Sequence, residues 1–190
     1  MENELIKNLQ LGSESAFREI VDLYKNKVVN TCFGFVNNAA DADDLAQEVF
    51  VEVFQSIHYF NQDSTLSTWI YRISVNKSLD HLRKINRKKR WAQLIRLTTQ
   101  ANEINDSLIA HEQTPESALE DKERLKVLLQ AIGKLPENQR TAFTLHKNED
   151  LSYKEISEVM KTSVSSVESL IHRAKKNLKE SLTHYYASEK

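Results

Sequence analysis

The sequence predicts an all-α protein built as two small helical domains joined by a linker, the second domain carrying a helix-turn-helix. Three observations lead there. Only three glycines and two prolines punctuate the 190 residues. The apolar residues recur at steps of three and four, the spacing of one helix face, and not at the alternation of a strand. Between residues 91 and 114 that period lapses in a polar stretch containing QANEIND and HEQT, the signature of a connector. The expected organisation is therefore 1–90, a linker over 91–114, and 115–190. An apolar content of 40% beside 28% charged residues suits a globular chain.

The first long helix is marked by Phe17, Ile20, Val21, Tyr24, Val28, Cys32 and Phe35, and Asn37 and Asn38 end it. Asp41 is placed to cap a second helix whose inner face is Leu45, Val49, Val53 and Ile57, and the polar run NQDST makes a loop before the third. Winding residues 69–85 at about 100° per residue sets Tyr71, Val75, Leu79, Leu82 and Ile85 on one face. Trp69, Arg72, Asn76, Asp80 and Arg83 share the other, with Ile73 among them. Thr114 followed by Pro115 reads as a cap and a first helical residue, and Pro136 opens another helix in the same way. Ser152 and Glu155 have the spacing of a capping box, ahead of a short helix with Ile156, Val159 and Met160 inside. Lys161 to Ser163 make a turn. A helix from Val164 then stacks Val164, Val167, Leu170, Ile171, Ala174 and Leu178 on one stripe, with Ser165, Ser169, His172, Arg173 and Lys176 opposite.

Several function classes are excluded by what these residues lack. No run of about 18 apolar residues occurs, so no membrane insertion is expected. The opening MENELIKNLQ has neither the cationic lead nor the apolar core of a secretory signal, and a cytoplasmic protein is expected. The single cysteine, Cys32, allows no internal disulfide and no multi-thiolate zinc site, and it reads as a buried small hydrophobe. His172 has no second histidine at ligand spacing, so no metal is expected. With no nucleophile–base constellation and no glycine-rich phosphate loop, neither an enzyme nor a cofactor is expected.

Charge distribution says more than the net charge of −1. Residues 40–63 hold Asp41, Asp43, Asp44, Glu48, Glu52 and Asp63 without one Lys or Arg, whereas residues 72–90 hold eight cations against Asp80 alone. A third cluster, Arg173, Lys175, Lys176 and Lys179, lies near the C-terminus. Trp69 beside Arg72, Asn76 and Arg83 has the composition of a single-strand platform, on which bases stack and phosphates follow charge; its alternative is plain packing. The helix-turn-helix exposes short hydroxyls that let a backbone approach duplex DNA, then cations suited to phosphates or guanine edges. Asp44, Gln47 and Glu48 repel nucleic acid and suit a cationic protein partner, or else form a solvated face.

Taken together these segments resemble the extracytoplasmic-function group of bacterial sigma factors, the short type that holds only regions 2 and 4. DADDLAQEVFVEVFQSI is similar to the stretch that docks on core RNA polymerase, which implies that role for Asp44, Gln47, Glu48 and Phe54. The loop and helix NQDSTLSTWIYRISVNKSLDHLRK are similar to the part that opens and reads the −10 promoter element. The resemblance gives Asn61, Asp63, Ser64, Thr65, Trp69, Arg72, Asn76, Asp80 and Arg83 to that strand. The final helix-turn-helix is similar to region 4, which implies −35 duplex contacts from Ser165, Ser166, Glu168, Ser169, His172, Arg173 and Lys176. Core RNA polymerase, promoter DNA and an anti-sigma factor are the partners this implies. The chain departs from the common pattern at Asn61-Gln62, at Leu66, at Lys161 where a turn glycine is usual, and at Glu168 and Leu170. A stand-alone helix-turn-helix regulator is the competing reading, and it leaves the acidic helix without a use.

Overall fold

The computed structural model describes residues 2–98 and 116–188, and every regular element among them is helical. A first helix the periodicity had not marked, α1 (Glu2–Gln10), buries Ile6 and Leu9. Its Gln10 side-chain amide donates to the carbonyls of Ile57 and Phe60, both at 3.2 Å. Helix α2 (Glu14–Val36) starts at Ser13, whose hydroxyl accepts from the Ala16 amide. It buries Ile20, Val28, Cys32 and Phe35, while Phe17, Val21 and Tyr24 of the expected face lie half-buried. Asn37 ends it in the left-handed region at φ 55°, a conformation asparagine tolerates. The next cap is Asn38 and not Asp41: α3 (Ala39–Ser56) begins two residues earlier than expected, and Asn38 Oδ1 accepts the Asp41 amide at 3.1 Å. The expected inner face of Leu45, Val49 and Val53 is buried, and Ile57 is buried in the short 3-10 turn Ile57–Tyr59 that follows.

Helix α4 spans Leu66–Thr98, with Thr65 Oγ1 accepting the Thr68 amide at its start. It therefore carries the helix eight residues into the segment expected to be a linker; 99–114, with the Thr114 cap, and Pro115 lie outside the described residues. Two faces of α4 are covered. Leu66 and Ile70, with half-buried Trp69 and Ile73, join the core made by α1, α2 and α3. Fully buried Ser74 and Ser78 are small enough for neighbouring helices to come close.

The C-terminal group comprises α5 (Glu116–Gly133), α6 (Glu137–Asn148), α7 (Tyr153–Met160) and α8 (Val164–Ser188). Pro136 is the N-cap of α6, one position before the first-turn place expected for it. The capping box of α7 is complete, with the Ser152 hydroxyl accepting from the Glu155 amide and the Glu155 carboxylate accepting from the Ser152 amide at 2.8 Å. Lys161 makes the turn at φ 51°, a backbone state glycine adopts without steric cost. On α8, Val167, Ile171, Ala174 and Leu178 are buried as expected, and Leu170 is half-buried. Val164 departs from that stripe at 46% exposed, because it is the first residue of the helix and precedes the packed turn.

The Tyr71–Val75–Leu79 stripe belongs to neither group alone. With Phe35 of α2 it forms one apolar cluster with Ala142, Leu145, Leu151, Ile156, Val159, Val167 and Ile171. Four side chains add polar links across this junction. Tyr71 donates to Glu149 Oε2 at 3.0 Å and the Asn37 amide to the Leu129 carbonyl at 3.3 Å. Arg72 donates to the carbonyls of Glu158 and Val159 at the end of α7, at 2.8 and 3.4 Å. Arg83 pairs with Glu137. Burying a Val or Leu side chain contributes about 1.5–3 kcal/mol, whereas an ion pair as exposed as Arg83–Glu137 is screened by solvent and contributes little. The apolar stripe holds the groups together and the polar contacts orient them.

Candidate nucleic-acid interface

Asp44, Gln47 and Glu48 are all exposed along one side of α3, whose opposite side is buried. Val51, 54% exposed one turn further on, extends that face with an apolar patch the charge pattern had not singled out. Its spacing from Gln47 and Glu48 was the available signal. Phe54 is part-exposed and meets Phe17 of α2 edge-on, with ring centroids 5.0 Å apart. Glu52 is drawn away from the acidic face by Lys77 of α4, at 3.1 Å.

The loop before α4 exposes Asn61, Asp63 and Thr65, with Ser64 half-buried, and Gln62 takes a left-handed backbone at φ 61°. Trp69 is not the freely presented ring that its place on the helical wheel suggested. It lies half-buried with its centroid 5.0 Å from Phe60, so one face is already covered. Tyr59, 82% exposed at the head of this loop, is the uncovered aromatic, and it was missed because a three-residue turn has no periodicity to mark its face. Asn76 and Asp80 are exposed, and Asp80 holds Arg83 at 2.9 Å. Arg72 is half-buried against α7, and Arg83 also reaches Glu137, whose hydrogen bond raises the guanidinium pKa. These two cations of the expected strand-binding face are thus engaged within the chain.

The helix-turn-helix face is open by contrast. Ser165, Glu168, Ser169, His172, Arg173 and Lys176 are all exposed, while Ser166 is half-buried and its amide donates to the Ser163 hydroxyl at 3.2 Å. Glu168, Ser169, His172 and Arg173, together with Tyr153, border a groove of about 400 Å³ where α7 meets α8. Lys176 lies 3.9 Å from Glu180 and is otherwise directed to solvent.

Away from the surface, burial shifts several ionisable groups. Cys32 is fully buried and free, its thiol pushed up to about 11, consistent with an inert packing residue. Burial and then the nearby Glu149 charge raise the Tyr71 hydroxyl, and burial raises the Glu149 carboxyl. Among the described residues, no group of three or more His, Cys, Asp or Glu side chains could hold a metal, and no helix is long and apolar enough to cross a membrane.

Comparison with known proteins places these surfaces in a family. Residues 20–88 match the model of sigma-70 region 2, and residues 125–178 that of sigma-70 region 4. The chain is 32% identical over 177 residues to the ECF RNA polymerase sigma factor SigW of Bacillus subtilis, covering 93% of this chain and 94% of that protein. It is 33% identical over 181 residues to the RNA polymerase sigma-H factor of Pseudomonas aeruginosa, covering 95% and 93%. The fold is shared with CnrH, solved in complex with the cytosolic domain of CnrY, at a TM-score of 0.68 and 22% identity over 96% of this chain and 97% of that one. It is also shared with RpoE of Bartonella quintana, solved with the anti-sigma factor NepR, at 0.62 and 20% identity over 88% and 96%. With near-complete coverage and both regions present in order, the chain belongs to the extracytoplasmic-function group of RNA polymerase sigma factors.

Proposed function

We propose that this sigma factor binds core RNA polymerase through the exposed side of α3, directs it to promoters, and helps to open them. Its residues 1–90 act as region 2 and 115–190 as region 4. Asp44, Gln47, Glu48 and Phe54 make the polymerase contact. The loop from Asn61 to Thr65 and the α4 residues Trp69, Arg72, Asn76, Asp80 and Arg83 meet the melted −10 strand. The exposed face of α8, from Ser165 to Lys176, reads the −35 duplex. The chain supplies no catalytic group; bond formation belongs to the polymerase, and the protein works in the cytoplasm. Masking by an anti-sigma factor is part of the reading, supported by the fold relative RpoE, solved with the anti-sigma factor NepR.

The observation that carries this reading is the acidic side of α3, exposed beside a helix rich in cations. A regulator acting alone through α8 has no use for it, since carboxylates beside a DNA face oppose binding. At a protein contact they complement a cationic surface and set partner choice. The test is capture of core polymerase by Asp44→Arg and Glu48→Lys at several salt concentrations. We expect each variant to lose affinity most strongly at low salt while keeping wild-type helical content. Wild-type capture by both would remove α3 as the contact.

A further inference from the structure

We infer that Tyr59 is a stacking residue for an unpaired base of the melted −10 strand, and that α1 positions it through Gln10. This rests on the reading of Asn61–Thr65 as a strand-facing loop, and it adds two residues from outside that loop.

Tyr59 is 82% exposed, although the turn that carries it is anchored on both sides by Ile57 at 0% and Phe60 at 5%. The Phe60 amide closes the turn by donating to the Ile57 carbonyl at 3.0 Å. The Gln10 side-chain amide, with two donor hydrogens, binds that same Ile57 carbonyl and the Phe60 carbonyl, so the backbone is clamped on either side of Tyr59. Ile6 and Leu9 of α1 share the apolar core with Ile57 and Phe60, which seats the clamp. The fold thus holds the Tyr59 ring outward. Helix α1 lies ahead of residues 20–88, which match region 2, so the clamp comes from outside that segment.

The chemistry around the ring selects single-stranded nucleic acid. Residues 58–65 hold one carboxylate, Asp63, and no Lys or Arg, beside His58 and the amides and hydroxyls of Asn61, Gln62, Ser64 and Thr65. An unpaired base needs a π-face to stack on and donors and acceptors for its edge, and this loop offers both. A closed duplex presents no free base face. Trp69 cannot supply the whole platform, because Phe60 covers one side of it. Phe60 links the two aromatics: its ring backs Trp69, and its carbonyl, next to Tyr59, is held by Gln10. Tyrosine brings its area with only two side-chain torsions, so little entropy is lost when a base settles on it.

The experiment uses holoenzyme and a fork-junction template, duplex upstream and single-stranded across the −10 segment of a promoter it transcribes, with 2-aminopurine at successive positions of that strand. With wild type we expect stacking to quench the fluorescence at one position on binding. Tyr59→Ala is expected to abolish that quenching and to lower fork affinity about 5- to 150-fold, the range that loss of one stacking contact gives. Tyr59→Phe keeps the ring and is expected to stay within about twofold of wild type. Gln10→Ala is expected to lose part of the affinity, and Gln10→Ala/Tyr59→Ala no more than Tyr59→Ala alone, because both act on one contact. Capture of core polymerase and binding of a fully duplex −35 fragment stay at the wild-type level in every variant. Wild-type quenching and affinity in Tyr59→Ala, equal damage from Tyr59→Phe, or loss of core capture by Tyr59→Ala would overturn the inference, the last by making Tyr59 a protein contact. Additive losses in the double variant remove Gln10 as its positioning residue. Asn61→Ala/Asn76→Ala separates the two readings. Lower fork affinity there beside an inert Tyr59→Ala leaves the loop reading standing, whereas wild-type affinity in both removes the loop reading as well.

Discussion

Arg173 and Lys176 are exposed cations within one turn of α8, yet their surroundings differ. Arg173 borders the groove between α7 and α8 with Glu168 and His172, whereas Lys176 lies further toward the C-terminal end, with Glu180 at 3.9 Å. A docked recognition helix reads bases with its earlier turns and leaves the groove for the backbone later. Arg173→Ala is therefore expected to cost about 1–3 kcal/mol and to relax preference at one upstream position, while Lys176→Ala weakens all sequences alike and lowers the salt slope by about 1. Binding of holoenzyme to a library of upstream elements at graded salt measures both. Identical, sequence-independent losses would make Arg173 a phosphate contact. At this scale the sequence told residue type and face well for α8, and for Cys32, because one buried stripe defines both. It could not show that Phe60 covers one face of Trp69, since a helical wheel carries no information about a residue that comes from a separate turn.

The helix α7 shows how a short element is held by its ends. Hydrogen bonds from the Ser152 side chain and backbone hold the Glu155 carboxyl below its ordinary value of 4.5. A carboxylate depressed in the folded state stabilises that state above its unfolded value, and the contribution is lost as pH falls through the lowered folded value. Glutamine at the same place keeps the reciprocal hydrogen bond but not the charge. Wild type is therefore expected to exceed Glu155→Gln by roughly 0.3 kcal/mol at neutral pH once solvent screening is allowed for, with the gap closing in thermal melts as acid protonates the carboxylate. A gap that stays constant on acidification would remove the carboxylate from the account. The capping box and the turn at Lys161 were legible because both are written in local spacing. The start of α3 and the length of α4 were not. Asn38 and Asp41 are both competent caps, and the sequence after Arg90, WAQLIRLT, has no Gly or Pro to stop the helix before Thr98.

Across the whole molecule, the segregation of acidic α3, cationic α4 and the helix-turn-helix could be read directly, because charge and order along the chain survive folding. The junction between the groups could not. The wheel correctly set Tyr71, Val75 and Leu79 on an apolar face, but periodicity cannot say which neighbours cover it, and here they are the C-terminal group together with Phe35 of α2. If these surfaces act together on one polymerase, run-off transcription with purified core polymerase from the same cell reports it. We expect transcripts of defined length from a subset of genomic promoter fragments, dependent on this chain and lost with Glu48→Lys. Unaltered background transcription with and without the chain, on every fragment, would contradict it.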